Sequence, residues 1–203
     1  RGRRGFGVFM VAGTLCLILA GAEVKCREVG LSVPDWPLSY GQVMPKMLGG
    51  VFYEHGHRMV AAAVGFLTIV LAAWLHRSDP RRWMRRLGWC ALVAVCLQGL
   101  LGGLTVIYKL PTAISMSHGT LAQLFLCITA WIAYASSREF ERGVGASSSG
   151  PVVADRMPAA WRAVRLAVLA VFVQLVLGAW VRHSEAGLAV PFYPLSDTGS
   201  PVP

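Results

Sequence analysis

Charge is what this sequence has least of. Only 14% of its 203 residues are Asp, Glu, Lys or Arg, where an ordinary soluble domain carries about 25%. That scarcity argues against a soluble, disordered or fibrous chain. Cysteine is sparse too, and unpaired in pattern. Cys16, Cys26, Cys90, Cys96 and Cys127 form no CxxC and no zinc-type spacing. Four of them lie inside apolar runs, where cysteine behaves as a small hydrophobe. Cys26 alone falls in an expected outer loop with no second loop cysteine to meet it, so no structural disulfide is expected. Between the apolar runs there is no room for a large extramembrane catalytic domain.

What fills the chain instead is apolar sequence. Hydrophobic residues make up 55% and the mean hydropathy is +0.56. At about 20 residues per crossing, five runs qualify as membrane spans: 5–22, 51–75, 87–108, 112–136 and 158–181. The first could pass for a signal peptide, but it lacks a small-x-small cleavage pattern and four more spans follow. The expected fold class is an all-α integral membrane protein. It comprises a four-helix transmembrane bundle over 1–140, a cytoplasmic linker over 141–157 with a flexible Gly/Ser-rich stretch at 143–155, and a fifth helix over 158–203 that begins a second, homologous half.

The net charge of +9 has a definite distribution. The segments 1–4, 76–86 and 137–165 hold thirteen arginines, whereas 23–50, 108–112 and 182–203 hold only Lys25, Arg27, Lys46, Lys109 and Arg182. This is the positive-inside pattern, with the N-terminus cytoplasmic and the C-terminus outside, in a bacterial-type cytoplasmic membrane. It argues against nucleic acid as a partner, which needs a solvated basic surface.

The chain also repeats itself. Residues 21–39 and 178–196 match at eleven of nineteen positions without a gap. Each copy runs from the outer end of a helix into an outer loop. A second four-helix half that starts and is cut short is the natural expectation, and parallel repeats are one route to membrane bundles.

Ionisable residues inside spans are costly and mark function by default. The richest cluster is Tyr53-Glu54-His55-Gly56-His57-Arg58, at the outer start of the second span. Glu54 and His57 share a helix face, as do Glu54 and Arg58. His118 lies one to two turns into the fourth span, near the same side. Neutral imidazole is a common iron ligand, and two histidines at similar depth can clamp a porphyrin within a bundle. His57 and His118 are therefore the candidate metal ligands, with interhelical hydrogen bonding as the plainer alternative. Arg58 is a candidate partner for haem propionates, because guanidinium matches carboxylate geometry; His55 is expected to face the outer interface or those propionates. The glycines at 99, 102 and 103 fit close helix packing or room for the ring. His76 is expected in solvent and His183 in an outer loop without a ligand role.

Four segments in order, GLSVPDWPLSYG at 30–41, YEHGHR at 53–58, LQGLLGGLTV at 97–106 and SMSHGTLAQ at 115–123, resemble haem A synthase over essentially the whole chain. The resemblance implies an eight-helix protein of two four-helix halves that oxidises the C8 methyl of haem O to the formyl group of haem A. It implies that His57 and His118 are the pair ligating haem O or haem A in the first half, and that Glu54 is the acidic residue associated with catalysis. Implied partners are haem O as substrate, a haem O synthase, an electron donor and membrane lipid; a homo-oligomer is compatible with it. The chain departs from the family pattern in three places. It has Cys26 where others carry a pair of outer-loop cysteines. It ends before the helices whose histidines hold haem b. And Phe192 and Tyr193 stand where the first copy has Asp35 and Trp36. An activity incomplete in this chain is the resulting expectation. The alternatives are a non-catalytic bis-histidine haem or electron-transfer protein, and a transporter whose histidines bind no haem.

Overall fold

The computed structural model describes residues 2–145 and 157–184. These residues form α1 (Gly2–Cys26), α2 (Gly50–Ser78), α3 (Arg82–Ile107), α4 (Thr112–Ala135), a short α5 (Arg138–Gly145) and α6 (Met157–His183). All except α5 are long and apolar enough to cross a membrane. At 24 to 29 residues and 1.5 Å per residue they reach about 36–44 Å, more than a hydrocarbon core of about 30 Å. The chain is an all-α integral membrane protein.

Proline and left-handed residues punctuate the helices. Asp79, ahead of Pro80, is extended (φ −96°, ψ 124°), which ends α2, as the residue before a proline disfavours helix. Between α3 and α4 the chain turns through Lys109 and Leu110, both with positive φ, and Pro111 opens α4 with φ −64°.

α1 packs on α2, α2 on α3, α3 on α4, and α4 back on α1, and among the described residues the backbones of neither diagonal pair approach as closely. The result is a closed square in which α1 faces α3 and α2 faces α4. α6 leans mainly on α4 and reaches the end of α1, where Arg182 donates to Cys26 Sγ at 3.4 Å, and almost all of its described side chains are exposed. Lipid is as apolar as leucine, so close packing rather than hydrophobic burial holds such helices together. Gly7 shows this: a Cβ there would stand 2.8 Å from the Ala133 backbone. Gly88 is seated likewise on Ala72 and Leu75 of α2.

The square is unlike at its two ends. The apolar core, built from Met10, Val64, Leu71, Leu75, Met84, Ala91, Phe125 and Ile132 among others, occupies the middle and the end that carries the N-terminus. That end is closed by a polar knot. The Asp79 side chain, fully buried, takes ion pairs from Arg3 and Arg81, both at 2.8 Å, and Arg81 also donates to the Ala135 carbonyl. The other end is capped by the 27–49 loop, and there polar residues, Ser39, Glu54, His55 and Ser115, are buried beside Val33 and Val106.

Some boundaries differ from expectation. Residues 143–145, expected in a flexible stretch, belong to α5, and His183 ends α6 rather than standing in a loop. Cys26, expected in a loop, is the last residue of α1. Residues 146–156 of the linker and 185–203, with Phe192 and Tyr193 and most of the second repeat copy, lie outside the described residues.

Candidate functional site

The 27–49 loop is folded down on the start of α2. Its tip is a tight turn in which Ser39 and Gln42 exchange both backbone hydrogen bonds, with positive φ at Tyr40 and Gly41, as a type I′ turn requires. Asp35 stabilises the turn by accepting from the Tyr40 and Gly41 N–H groups at 2.7 and 2.8 Å. The Gly41 and Tyr40 N–H groups hold its carboxyl below the ordinary carboxylate value. Trp36 lies on α3. A Cβ on Gly103 would stand 2.6 Å from two of its ring carbons, so the indole needs a glycine there.

Glu54 and Arg58 are the bolts of this cap. Glu54 accepts from the Val33 N–H at 2.9 Å and pairs with Arg58. Arg58 donates further to the carbonyls of Asp35 (2.7 Å), Leu38 (3.0 Å) and Val33 (3.3 Å). One guanidinium thus gathers three loop carbonyls and one carboxylate, a use of its rigid fork that lysine could not copy. His55, expected to face the outer interface or haem propionates, is buried under the loop at 7% exposure, with Nδ1 2.8 Å from Ser39 Oγ and Nε2 unpartnered.

His57 and His118 stand deeper. They are the eighth residue of α2 and the seventh of α4, about 9–11 Å from the helix starts. Their helices face each other across the square, so the two imidazoles belong to opposite walls of one bundle. Each ring rests on a glycine of a neighbouring helix. A Cβ at Gly21 of α1 would come 3.0 Å from His57 Cε1, and one at Gly102 of α3 would come 3.2 Å from His118 Cε1. Each ring also keeps a buried Nδ1 with no hydrogen-bond partner. Gln98 of α3 donates to the His118 carbonyl at 2.9 Å, which fixes α3 against α4 at this level. Its own Oε1 and the Ser115 Oγ nearby in sequence to His118 are likewise buried and unpartnered.

A buried polar atom without a partner is costly in a finished core and calls for an explanation. A neutral imidazole nitrogen can accept a hydrogen bond, take a proton or ligate a transition metal. Among the described residues no three His, Cys, Asp or Glu side chains converge on one point. A bare ion wants at least three protein ligands, whereas an iron already held by a porphyrin is completed by two axial imidazoles.

The structure thus brings Glu54, His57 and Arg58 together on one helix and sets His118 opposite. It leaves His76 exposed and far along α2. The sequence reading missed Gly21 and assigned Gly102 no definite partner. The available signal was that Gly21 opens the repeated segment, with Gly178 at the same place in the second copy.

The chain is also similar to known proteins. A family model described as "Cytochrome oxidase assembly protein" matches residues 48–201. The protein named "Heme A synthase" from Symbiobacterium thermophilum is 31% identical over 196 residues, covering 95% of this chain and 63% of that protein. Its counterpart from Alkalihalophilus pseudofirmus is 27% identical over 196 residues, covering 94% and 63%. The one from Shewanella oneidensis is 28% identical over 207 residues, covering 91% and 58%. The chain therefore spans a little under two thirds of the length of these relatives.

Proposed function

The chain belongs to the family of cytochrome oxidase assembly proteins, and from that premise we propose that it serves haem A biosynthesis as a haem A synthase-type oxidoreductase. Its substrate in this reading is haem O, and the change is oxidation of the C8 methyl to the formyl group of haem A. The single observation that carries the reading is the pair of unsatisfied imidazole nitrogens of His57 and His118 on facing helices. Those two residues would hold the porphyrin iron, and the porphyrin would supply the redox-active centre. Gly21 and Gly102 orient the two rings from behind.

Glu54 lies one turn from His57 on the same helix. Its carboxylate accepts from Arg58 and the Val33 N–H, the arrangement of an anion rather than of a proton donor. It therefore suits electrostatic stabilisation of positive charge developing at the methyl carbon. Arg58 binds the loop and Glu54 in this structure; as a propionate partner it would have to exchange loop carbonyls for the substrate's carboxylates. The loop is fastened to Glu54 and Arg58, beside His57 at the outer start of α2. The arginine asymmetry supports a cytoplasmic N-terminus; in that reading this cap and both histidines lie toward the outer face of a bacterial cytoplasmic membrane.

The test is expression with a haem O source, both alone and with the portion of a relative that this chain does not cover, followed by analysis of extracted haems by chromatography and mass spectrometry. Haem O conversion to the alcohol or aldehyde is expected, with His57→Ala and His118→Ala losing both bound haem and its bis-imidazole spectrum. Haem retention without any oxidised product in either format refutes the enzymatic reading. No haem band at all refutes the site.

A further inference from the structure

Three arginines on α3 have a use that the haem site does not explain. Arg82, Arg85, Arg86 and Trp89 are spaced i, i+3, i+4 and i+7, so they share one face of the helix. Together with His76 at the end of α2 they line a depression of about 250 Å³. Trp89 donates Nε1–H to His76 Nδ1 at 3.2 Å, with the two rings edge to face. Topology alone asks only that arginine be abundant at this end. Arg3 and Arg81 there are spent on Asp79, and Arg4 reaches Glu139 at 3.6 Å. Arg82, Arg85 and Arg86 pair with no carboxylate among the described residues, and they converge on a concave surface.

We propose that this depression binds the phosphate headgroup of an anionic membrane lipid. Guanidinium groups recognise phosphate oxygens by paired charge-assisted hydrogen bonds, and basic pockets at the ends of transmembrane helices fit such headgroups. A lipid is favoured over free phosphate by what lies beyond Trp89. Along the same helix toward the membrane middle, Val93, Leu97 and Leu100 are all exposed, at 58%, 48% and 50%. A molecule with its phosphate among the arginines would lay its acyl chain over Trp89 and then along this strip. Tryptophan at the headgroup boundary is the usual marker of that level.

The test uses the whole chain in detergent, titrated with cardiolipin, with phosphatidylcholine or with inorganic phosphate, and read by native mass spectrometry. Cardiolipin should be retained and phosphatidylcholine should not. The triple variant Arg82→Gln/Arg85→Gln/Arg86→Gln should weaken cardiolipin retention by about tenfold or more. A control triple variant, Arg77→Gln/Arg138→Gln/Arg142→Gln, removes the same charge at the same end and should change it by less than about twofold. Trp89→Ala should weaken lipid retention but leave any phosphate binding unchanged. Equal losses in the two triple variants, or inorganic phosphate displacing cardiolipin at millimolar concentration and binding as well by itself, overturn the proposal. Haem content serves as the fold check, since none of these residues touches His57 or His118.

Discussion

Removing the Arg58 guanidinium should unfasten the outer cap while leaving the membrane bundle assembled. The Arg58 and Glu54 side chains are 16% and 5% exposed, so their pairing is largely shielded from water. In Arg58→Ala the Glu54 carboxylate keeps only the Val33 N–H, and the carbonyls of Val33, Asp35 and Leu38 lose their shared donor. Breaking one side of a buried pair costs about 3–5 kcal/mol. Glu54→Gln is milder, about 1–3 kcal/mol, because the amide oxygen can still accept from Val33 and Arg58 keeps its three carbonyls. Arg58→Lys falls between the two, since one ammonium cannot span four acceptors. In the double variant the stranded carboxylate is gone, so the two losses should not add; a coupling of at least about 1 kcal/mol is expected. The assay is denaturant titration in detergent, followed in parallel by limited proteolysis of the 33–42 loop. A loss within about 0.5 kcal/mol for Arg58→Ala, with the loop no easier to cleave, would mean that the guanidinium does not hold the cap.

Two further outcomes follow from the packing and the polar knot. Gly103→Val must expel the Trp36 indole, whose ring carbons stand 2.6 Å from the site of a Cβ; a loss of about 1–3 kcal/mol and a red-shifted tryptophan emission are expected, and unchanged emission counts against the seat. At the opposite end, burial opposes ionisation of Asp79, but the Arg81 and Arg3 guanidiniums outweigh it and hold the carboxyl below its usual 3.8. A lowered native value means that the ion pairs stabilise above 3.8 and are lost as pH falls through the native value. Asp79→Asn should therefore lower stability at pH 7 and flatten its fall below about pH 4; parallel profiles for the two proteins speak against this assignment.

The spans were legible because membrane helices announce themselves by length and composition, and Thr112 to the mid-130s was placed within a residue. The chemical residues were legible because charge inside an apolar run is conspicuous: Glu54, His57, Arg58 and His118 all stand out from their neighbours. What was not legible is everything set by contacts between distant segments. No local pattern tells that Arg58 reaches back to carbonyls twenty or more residues earlier, or that His55 is buried under Ser39. Nor does spacing reveal which helices face each other. The diagonal placement of α2 and α4 comes from the order of packing around the square, and only that order turns two histidines into opposite walls of one site. Gly21 and Gly102 were hidden for a related reason, since a glycine that seats a ring looks in sequence like any glycine that lets two helices approach.

The unequal ends of the square have a consequence for how this protein can change. Along α2, α3 and α4, one stretch packs into the apolar core while another, toward the cap, carries unsatisfied polar atoms. Tolerance to substitution should therefore vary along a helix rather than between helices. A methylene added near Gly7 or Gly88 disturbs the frame and leaves the imidazoles where they are. One added near Gly21 or Gly102 moves an imidazole and leaves the frame intact. Variation that reshapes the chemistry can thus accumulate in the upper turns without loosening the scaffold that keeps the walls a fixed distance apart.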